Sequence, residues 1–226
     1  MQRLVLNGSP RGTQSNSRTI IGWLLEGMAK AGASEPPVLD LAHTRDNTQH
    51  RAAFLEADEV VLVMPLYTDS VPGIVMHFID SLAEAPRERL AGKRMAFVIQ
   101  SGFPESAHSR PVATWLERLC ARLGMVHCGT AIRGNSEGLR LMPAGMTAKA
   151  RELFVALGRS LAAQGIFDAA AVARLAGRGR LGMAARLVMG ALRPTGLLNL
   201  YWIMMLRQHG AWKRRFDQPY AAALVR

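Results

Sequence analysis

The chain has 226 residues, 49% of them hydrophobic, with a formal net charge of +11. That is enough apolar material for one domain with a full core, or for one domain with an appendage. The chain runs at once into a strand, so no secretory signal is expected. Its two cysteines, Cys120 and Cys128, lack metal-like spacing and read as free thiols packed as small hydrophobes, in keeping with a reducing cytoplasm.

The charge is unevenly spread. Residues 167–226 hold ten of the 28 Lys and Arg but two of the 17 Asp and Glu, a balance of +8 that leaves +3 for residues 1–166. Nucleic acid, anionic lipid and an acidic partner all suit such a segment, as does a solvated face. No recognition motif accompanies the charge, so nucleic acid is not expected.

In chain order, residues 3–7 read as a strand and residues 16–30 as a helix, with Ile20, Ile21, Leu24, Leu25 and Met28 at helical spacing. Between them lies the most informative run of the chain, LVLNGSPRGTQSNSRTII over residues 4–21. A strand that ends in a hydroxyl-rich loop at a helix N-terminus is a phosphate cradle, because first-turn amides lack internal partners and carry partial positive charge. Ser9, Thr13, Ser15 and Ser17 offer hydroxyls there, Asn16 an amide and Arg11 a charged fork. The loop is neither a GxxxxGK[ST] motif nor a GxGxxG motif, and it suits a single phosphate group. No acidic residue lies between Asn7 and Arg18, which disfavours a hydrated magnesium ion.

Residues 37–41 form a short predicted strand, followed by a polar stretch at 42–49 and a short helix to about residue 57. EVVLVMP at 59–65 is a continuous apolar run, as expected of a central parallel strand buried on both faces. A helix is predicted at 73–82, a strand at 94–100, a helix at 110–123, a strand at 126–132 and a helix at 147–163. Strands alternating with helices imply a parallel sheet covered on both faces, whose ligands bind beyond the carboxyl ends of the strands. The loops at 8–17, 66–71 and 101–110 should therefore meet at one site. In the second, Tyr67 offers a stacking face and the backbone of Leu66 to Asp69 offers hydrogen bonds to a planar ring. In the third, Gly102 permits close backbone approach to a flat ligand.

Beyond residue 165 the pattern changes. Residues 174–192 are rich in Arg, Gly and Ala with loose helical periodicity, Pro194–Gly196 should break it, and 197–206 (LLNLYWIMML) is nearly all apolar. A run of that length is too short to span a bilayer, which needs roughly 20 residues. The tail is expected to pack on its own domain or on a second subunit, with a peripheral membrane or partner-binding role as the alternative.

The runs NGSPRGTQSNS, PLYTDSVPGIVMHFID and SGFPES resemble, in that order, the motifs of flavodoxin-like NAD(P)H-dependent FMN reductases, over roughly residues 1–165. The run LYWIMMLRQHGAWKRRFDQPY resembles a C-terminal extension found in a branch of flavodoxin-fold oxidoreductases. The resemblance implies an α/β three-layer sandwich with a five-stranded parallel sheet in the order 2-1-3-4-5. Residues 1–166 would be the FMN-binding domain and 167–226 a basic, apolar helical extension. It implies that Ser9, Arg11, Ser15, Asn16 and Ser17 hold the FMN phosphate. Pro65, Leu66, Tyr67 and Asp69 would border the isoalloxazine, and Ser101 and Gly102 its other edge. Residues 42–57 lack cysteine, so the iron–sulfur cluster of some superfamily members is not expected.

The activity so implied is hydride transfer from NAD(P)H to FMN and on to a quinone, a nitro or azo compound, a second flavin or a metal complex. No catalytic side chain is required for the first half-reaction. His77, inside the helix at 73–82, reads as structural, and His108, in the third loop, is placed to approach a substrate. Family members are often dimers or tetramers, and the resemblance implies a cytoplasmic homo-oligomer, with membrane association as the alternative. A flavin-binding electron carrier, and an interaction protein working through the tail, are the competing readings.

Overall fold

The computed structural model describes residues 1–42 and 46–218. Three residues of the polar stretch (43–45) and the end of the extension (219–226) lie outside the described residues. Five parallel strands pair in the order β2-β1-β3-β4-β5: β1 Arg3–Asn7, β2 Val38–Asp40, β3 Glu59–Pro65, β4 Arg94–Gln100 and β5 Val126–Arg133. The expected topology is the observed one. Its helices are α1 Asn16–Lys30, α2 Thr48–Glu56, α3 Gly73–Ser81, the single turn α4 Arg87–Leu90, α5 Arg110–Leu123, α6 Ala144–Gln164 and α7 Ala169–Ala176.

Alternation along each strand divides the core in two. Leu4, Leu6, Leu62, Met64, Phe97 and Ile99 face Phe54 of α2, Val75 and Phe78 of α3, and Leu116 of α5. Val5, Val61, Val63, Ala96 and Val98 face Ile20, Ile21 and Leu24 of α1 and Phe154, Leu157 and Leu161 of α6. Every residue of β3 is buried, as its continuous apolar run demands. Both thiols are buried. Burial pushes Cys120 up to about 12 and raises Cys128 as well, so neither is a ready nucleophile.

Two glycines bring α1 and α6 together. A Cβ at Gly27 would lie 2.1 Å from the carbonyl oxygen of Val155, and one at Gly158 would lie 2.0 Å from that of Leu24. The helices meet backbone to backbone, with no room for a side chain between them. At the amino ends of the strands a buried charge cluster joins three strands to α6. Glu59, fully buried, accepts from Arg3 Nε at 2.6 Å and from Arg94 Nε at 3.4 Å. The same two guanidinium groups donate to the carbonyls of Ala162 and Gly165 near the end of α6. Paired at both ends, Glu59 avoids the cost of an isolated buried carboxylate.

The first compact unit runs to Arg180, past residue 166. Phe167, Ala171 and Leu175 are buried on the α1/α6 side, and Phe167 N–H donates to Cys128 O at 2.9 Å. Gly129, at φ +116, leaves the space that the Phe167 side chain fills. The predicted helical stretch 174–192 is interrupted: α7 ends at Ala176, and α8 (Met183–Leu192) begins after Gly177, Gly179 and Gly182. Helix α6 starts at Ala144 rather than residue 147, immediately after Pro143, whose φ of −55 is set by its ring. A second compact unit begins at Leu181 and contains α8 and α9 (Leu200–Gln208), joined by 3-10 turns at Arg193–Thr195 and Leu197–Asn199. Neither α8 nor α9 contributes a buried residue.

The α1–α6 contact makes a paired prediction. Gly158→Ala should destabilise the protein by about 1–3 kcal/mol in urea unfolding, since the added methyl has nowhere to go. Gly22→Ala, on the facing helix α1 but with open space around it, should be neutral or stabilise by up to about 1 kcal/mol. Equal effects would mean that the close contact carries no energetic weight.

Candidate functional site

At the carboxyl end of β1 the backbone must turn into α1 through residues 8–15, and Asn7 organises that turn. Its carboxamide is fully buried. Nδ2 donates to Gly12 O at 2.9 Å and to Asp40 Oδ1, at the end of β2, at 2.6 Å. Oδ1 accepts from Ser9 N at 3.1 Å. Ser15 then caps α1: its hydroxyl accepts from Arg18 N at 3.1 Å and donates to Gly12 O at 2.6 Å. Gly12 is buried at φ +52, a conformation open to glycine.

Asn16 and Ser17 open the helix, where first-turn amides have no intrahelical acceptor. Ser17 is fully buried and its Oγ has no hydrogen-bond partner among the described residues. Ser9, eight residues earlier, is also buried, and Arg11 is exposed. The Asn16 side chain is hydrogen-bonded within the protein at both ends. Its Nδ2 donates to Ser136 O at 2.7 Å and its Oδ1 accepts from Arg140 N at 3.1 Å, so only its backbone amide stays at the helix opening.

The loop after β3 leaves Pro65 and Leu66 buried and turns outward at Tyr67, which is 42% exposed. Tyr67 and Ser70 exchange two backbone hydrogen bonds, both 3.0 Å, around Thr68 at φ +51 and Asp69 at φ +57. Two left-handed residues in succession match a type I′ turn. Asp tolerates that region, whereas β-branched Thr is strained there, at a cost of about 1–3 kcal/mol. Leu66 N–H donates to Gln100 O at 2.8 Å, which ties this loop to the one after β4.

The third loop places Ser101 inside and Gly102 and Phe103 outside. His108 Nδ1 lies 3.2 Å from Asp69 Oδ1, its Nε2 lies 3.7 Å from Glu105 Oε2, and its ring is 5.1 Å from that of Phe103. Of the two histidines singled out, His108 thus bridges the second and third loops, while His77 lies on the exposed side of α3.

A fourth segment, absent from the expected set, also reaches the site. The loop after β5 bonds Ser136 N–H to Ser101 O at 2.8 Å and carries Glu137 to 3.8 Å from Arg11 Nη1. A Cβ on Gly102 would meet Glu137 Oε2 at 3.4 Å, so glycine there leaves room for the carboxylate. The only sequence signal for this segment was its turn-forming composition, RGNSEG.

The model of the family with a flavodoxin-like fold matches residues 1–132, more than half of the chain. The chain belongs to that family. No curated protein matches it by sequence. Among solved structures, the flavodoxin-like domain is similar to an NADPH-quinone reductase from P. pentosaceus, at 18% identity and a TM-score of 0.55, covering 73% of this chain and 99% of that one. It is similar to an FMN-dependent NADH-azoreductase from Bacillus anthracis in complex with FMN, at 16% identity and a TM-score of 0.54, covering 72% and 100%. It is also similar to general stress protein 14 from Treponema denticola in complex with FMN, at 14% identity and a TM-score of 0.56, covering 71% and 99%. At these identities the likeness is one of fold.

The Asn7 network carries a prediction of its own. Asn7→Ala leaves the Ser9 amide and the Asp40 carboxylate without their partner, and should cost about 2–3 kcal/mol in urea unfolding. A loss below about 0.5 kcal/mol would mean that water replaces the carboxamide and that the loop does not depend on it.

Proposed function

We propose that the chain is an FMN-dependent NAD(P)H oxidoreductase acting on a small-molecule acceptor of the quinone or azo class. The observation that carries this reading is the buried, unpartnered Ser17 hydroxyl in the first turn of α1, within a loop that holds Arg11 and no acid. An oxyanion with several acceptor oxygens satisfies such a hydroxyl and the first-turn amides together. The activities of the similar reductases from P. pentosaceus and Bacillus anthracis support it.

On this reading Ser9, Arg11, Ser15 and Ser17 hold the FMN phosphate with hydroxyls and charge, and Asn16 contributes its backbone amide. Bound FMN supplies the acceptance of hydride from a nicotinamide and the onward passage of electrons. The residues of the chain position and shield. Pro65, Leu66, Tyr67 and Asp69 border one side of the ring, and Ser101 and Gly102 the other. The Leu66–Gln100 hydrogen bond keeps the two borders in register. His108, held between Asp69 and Glu105, joins the second and third loops at the rim. Arg11, which pairs with the Glu137 carboxylate, exchanges one anion for another when phosphate arrives. The reading assigns the flavin to the first compact unit, residues 1–180, and a separate role to the unit that begins at Leu181. It places the chain in a reducing cytoplasm, where its buried thiols stay reduced.

Charge reversal tests the assignment. Arg11→Glu should weaken FMN retention by about tenfold or more, while Lys30→Glu, which breaks a 2.7 Å pair with Glu26 at the far end of α1, should leave it unchanged. Equal retention in both would remove Arg11 from the site. In the same preparations Tyr67→Ala should shift the flavin absorption band or potential, and an unchanged spectrum and potential would reduce Tyr67 to packing.

A further inference from the structure

The unit that begins at Leu181 combines two surface properties that water satisfies poorly when they occur together. The first is apolar: Met183, Leu187 and Val188 on α8 and Leu200, Trp202 and Met204 on α9 are all large and exposed, with Leu187 at 67% and Trp202 at 58%. The second is charge. Residues 181–218 hold six cations, Arg186, Arg193, Arg207, Lys213, Arg214 and Arg215, and one acid, Asp217, which pairs with Arg214 at 2.9 Å.

These properties narrow the partner. Nucleic acid matches the charge but offers no apolar phase for Leu187, Trp202 and Met204. A second copy of this unit matches the apolar face but sets a balance of +5 against itself. An anionic lipid surface offers negative headgroups above a hydrocarbon phase and matches both. Helices of ten and nine residues are about 15 Å long, against about 30 Å of hydrocarbon, and among the described residues no helix is long and apolar enough to cross a membrane. Docking along the surface is the remaining geometry. The aromatic residues fit it. Trp212 lies under two guanidinium groups, Arg215 at 4.0 Å and Arg207 at 5.1 Å from its ring centre, an arrangement suited to the headgroup layer.

We propose that residues 181–218 are a peripheral membrane-docking unit, with α8 and α9 lying on lipid and the basic cluster Lys213, Arg214 and Arg215 engaging anionic headgroups. This uses none of the flavin-loop residues and stands independently of the flavin reading.

The test is sedimentation of the full chain with vesicles of phosphatidylcholine alone and of equimolar phosphatidylcholine and phosphatidylglycerol. The wild type should sediment with the anionic vesicles and stay in solution with the neutral ones. Reversal of the cluster (Lys213→Glu, Arg214→Glu and Arg215→Glu together) should lower binding by about tenfold or more. Trp202→Ser, which keeps the charge, should lower it by about fivefold. Thermal unfolding followed by circular dichroism checks that both variants keep the wild-type fold. Equal sedimentation with both vesicle types, none with either, or wild-type binding by both folded variants overturns the proposal. So does a wild-type dimer that ignores vesicles and is split by Trp202→Ser, which would assign the face to a second copy. Sedimentation is read without flavin, so a chain that fails to take up FMN leaves this result unaffected.

Discussion

The carboxamide of Asn7 is bonded from both its oxygen and its nitrogen, and the first loop of the candidate site is built around it. It ties the end of β1 to the end of β2 through Asp40, and it holds the next residues in a closed turn through Ser9 and Gly12. A buried carboxamide has few ways to satisfy both ends, so the turn has few alternatives. The start of α1 follows from that turn through Ser15, which bonds back to Gly12 while capping the helix. The rest of α1 is held independently, by its backbone contact with α6 at Gly27 and Gly158. The loop therefore runs between two fixed anchors.

The two ends of the sheet differ in how completely their polar groups are satisfied. At the amino ends Glu59, Arg3 and Arg94 satisfy one another and take up the last carbonyls of α6. At the carboxyl ends Ser17 retains an unpartnered hydroxyl, Thr68 is held at positive φ, and Tyr67 and Phe103 stay exposed. Unmet hydrogen bonds and backbone strain are tolerated in a stable domain where a ligand or a reaction uses them. The asymmetry is the one expected of a parallel α/β sheet whose ligand binds beyond the carboxyl ends of its strands.

How much of this was legible in the residues depended on how local the determining physics was. The run EVVLVMP identifies β3 as a strand buried on both faces, because nothing but burial explains seven apolar or flanking residues in a row. The helix opening at Ser15 and Asn16 follows from the capping chemistry of short polar side chains. The sharing of Asn16 between Ser136 and Arg140 does not, because it depends on where the loop after β5 lands. The two left-handed residues after Tyr67 had no glycine to announce them. The continuity of the fold to Arg180 was hidden by composition. Ala-rich α7 looks like the start of the basic tail, yet Phe167 and Leu175 sit in the core because Gly129 leaves room for Phe167. Glycines at 177, 179 and 182 mark the real break.

The central claim is that the four loops at the carboxyl ends hold a flavin reducible by a nicotinamide. A visible absorption spectrum after incubation with excess FMN and desalting tests it most directly. The account predicts a retained band near ~450 nm, a property of the cofactor, that bleaches on anaerobic addition of NADH or NADPH. A colourless protein after the same treatment would contradict it.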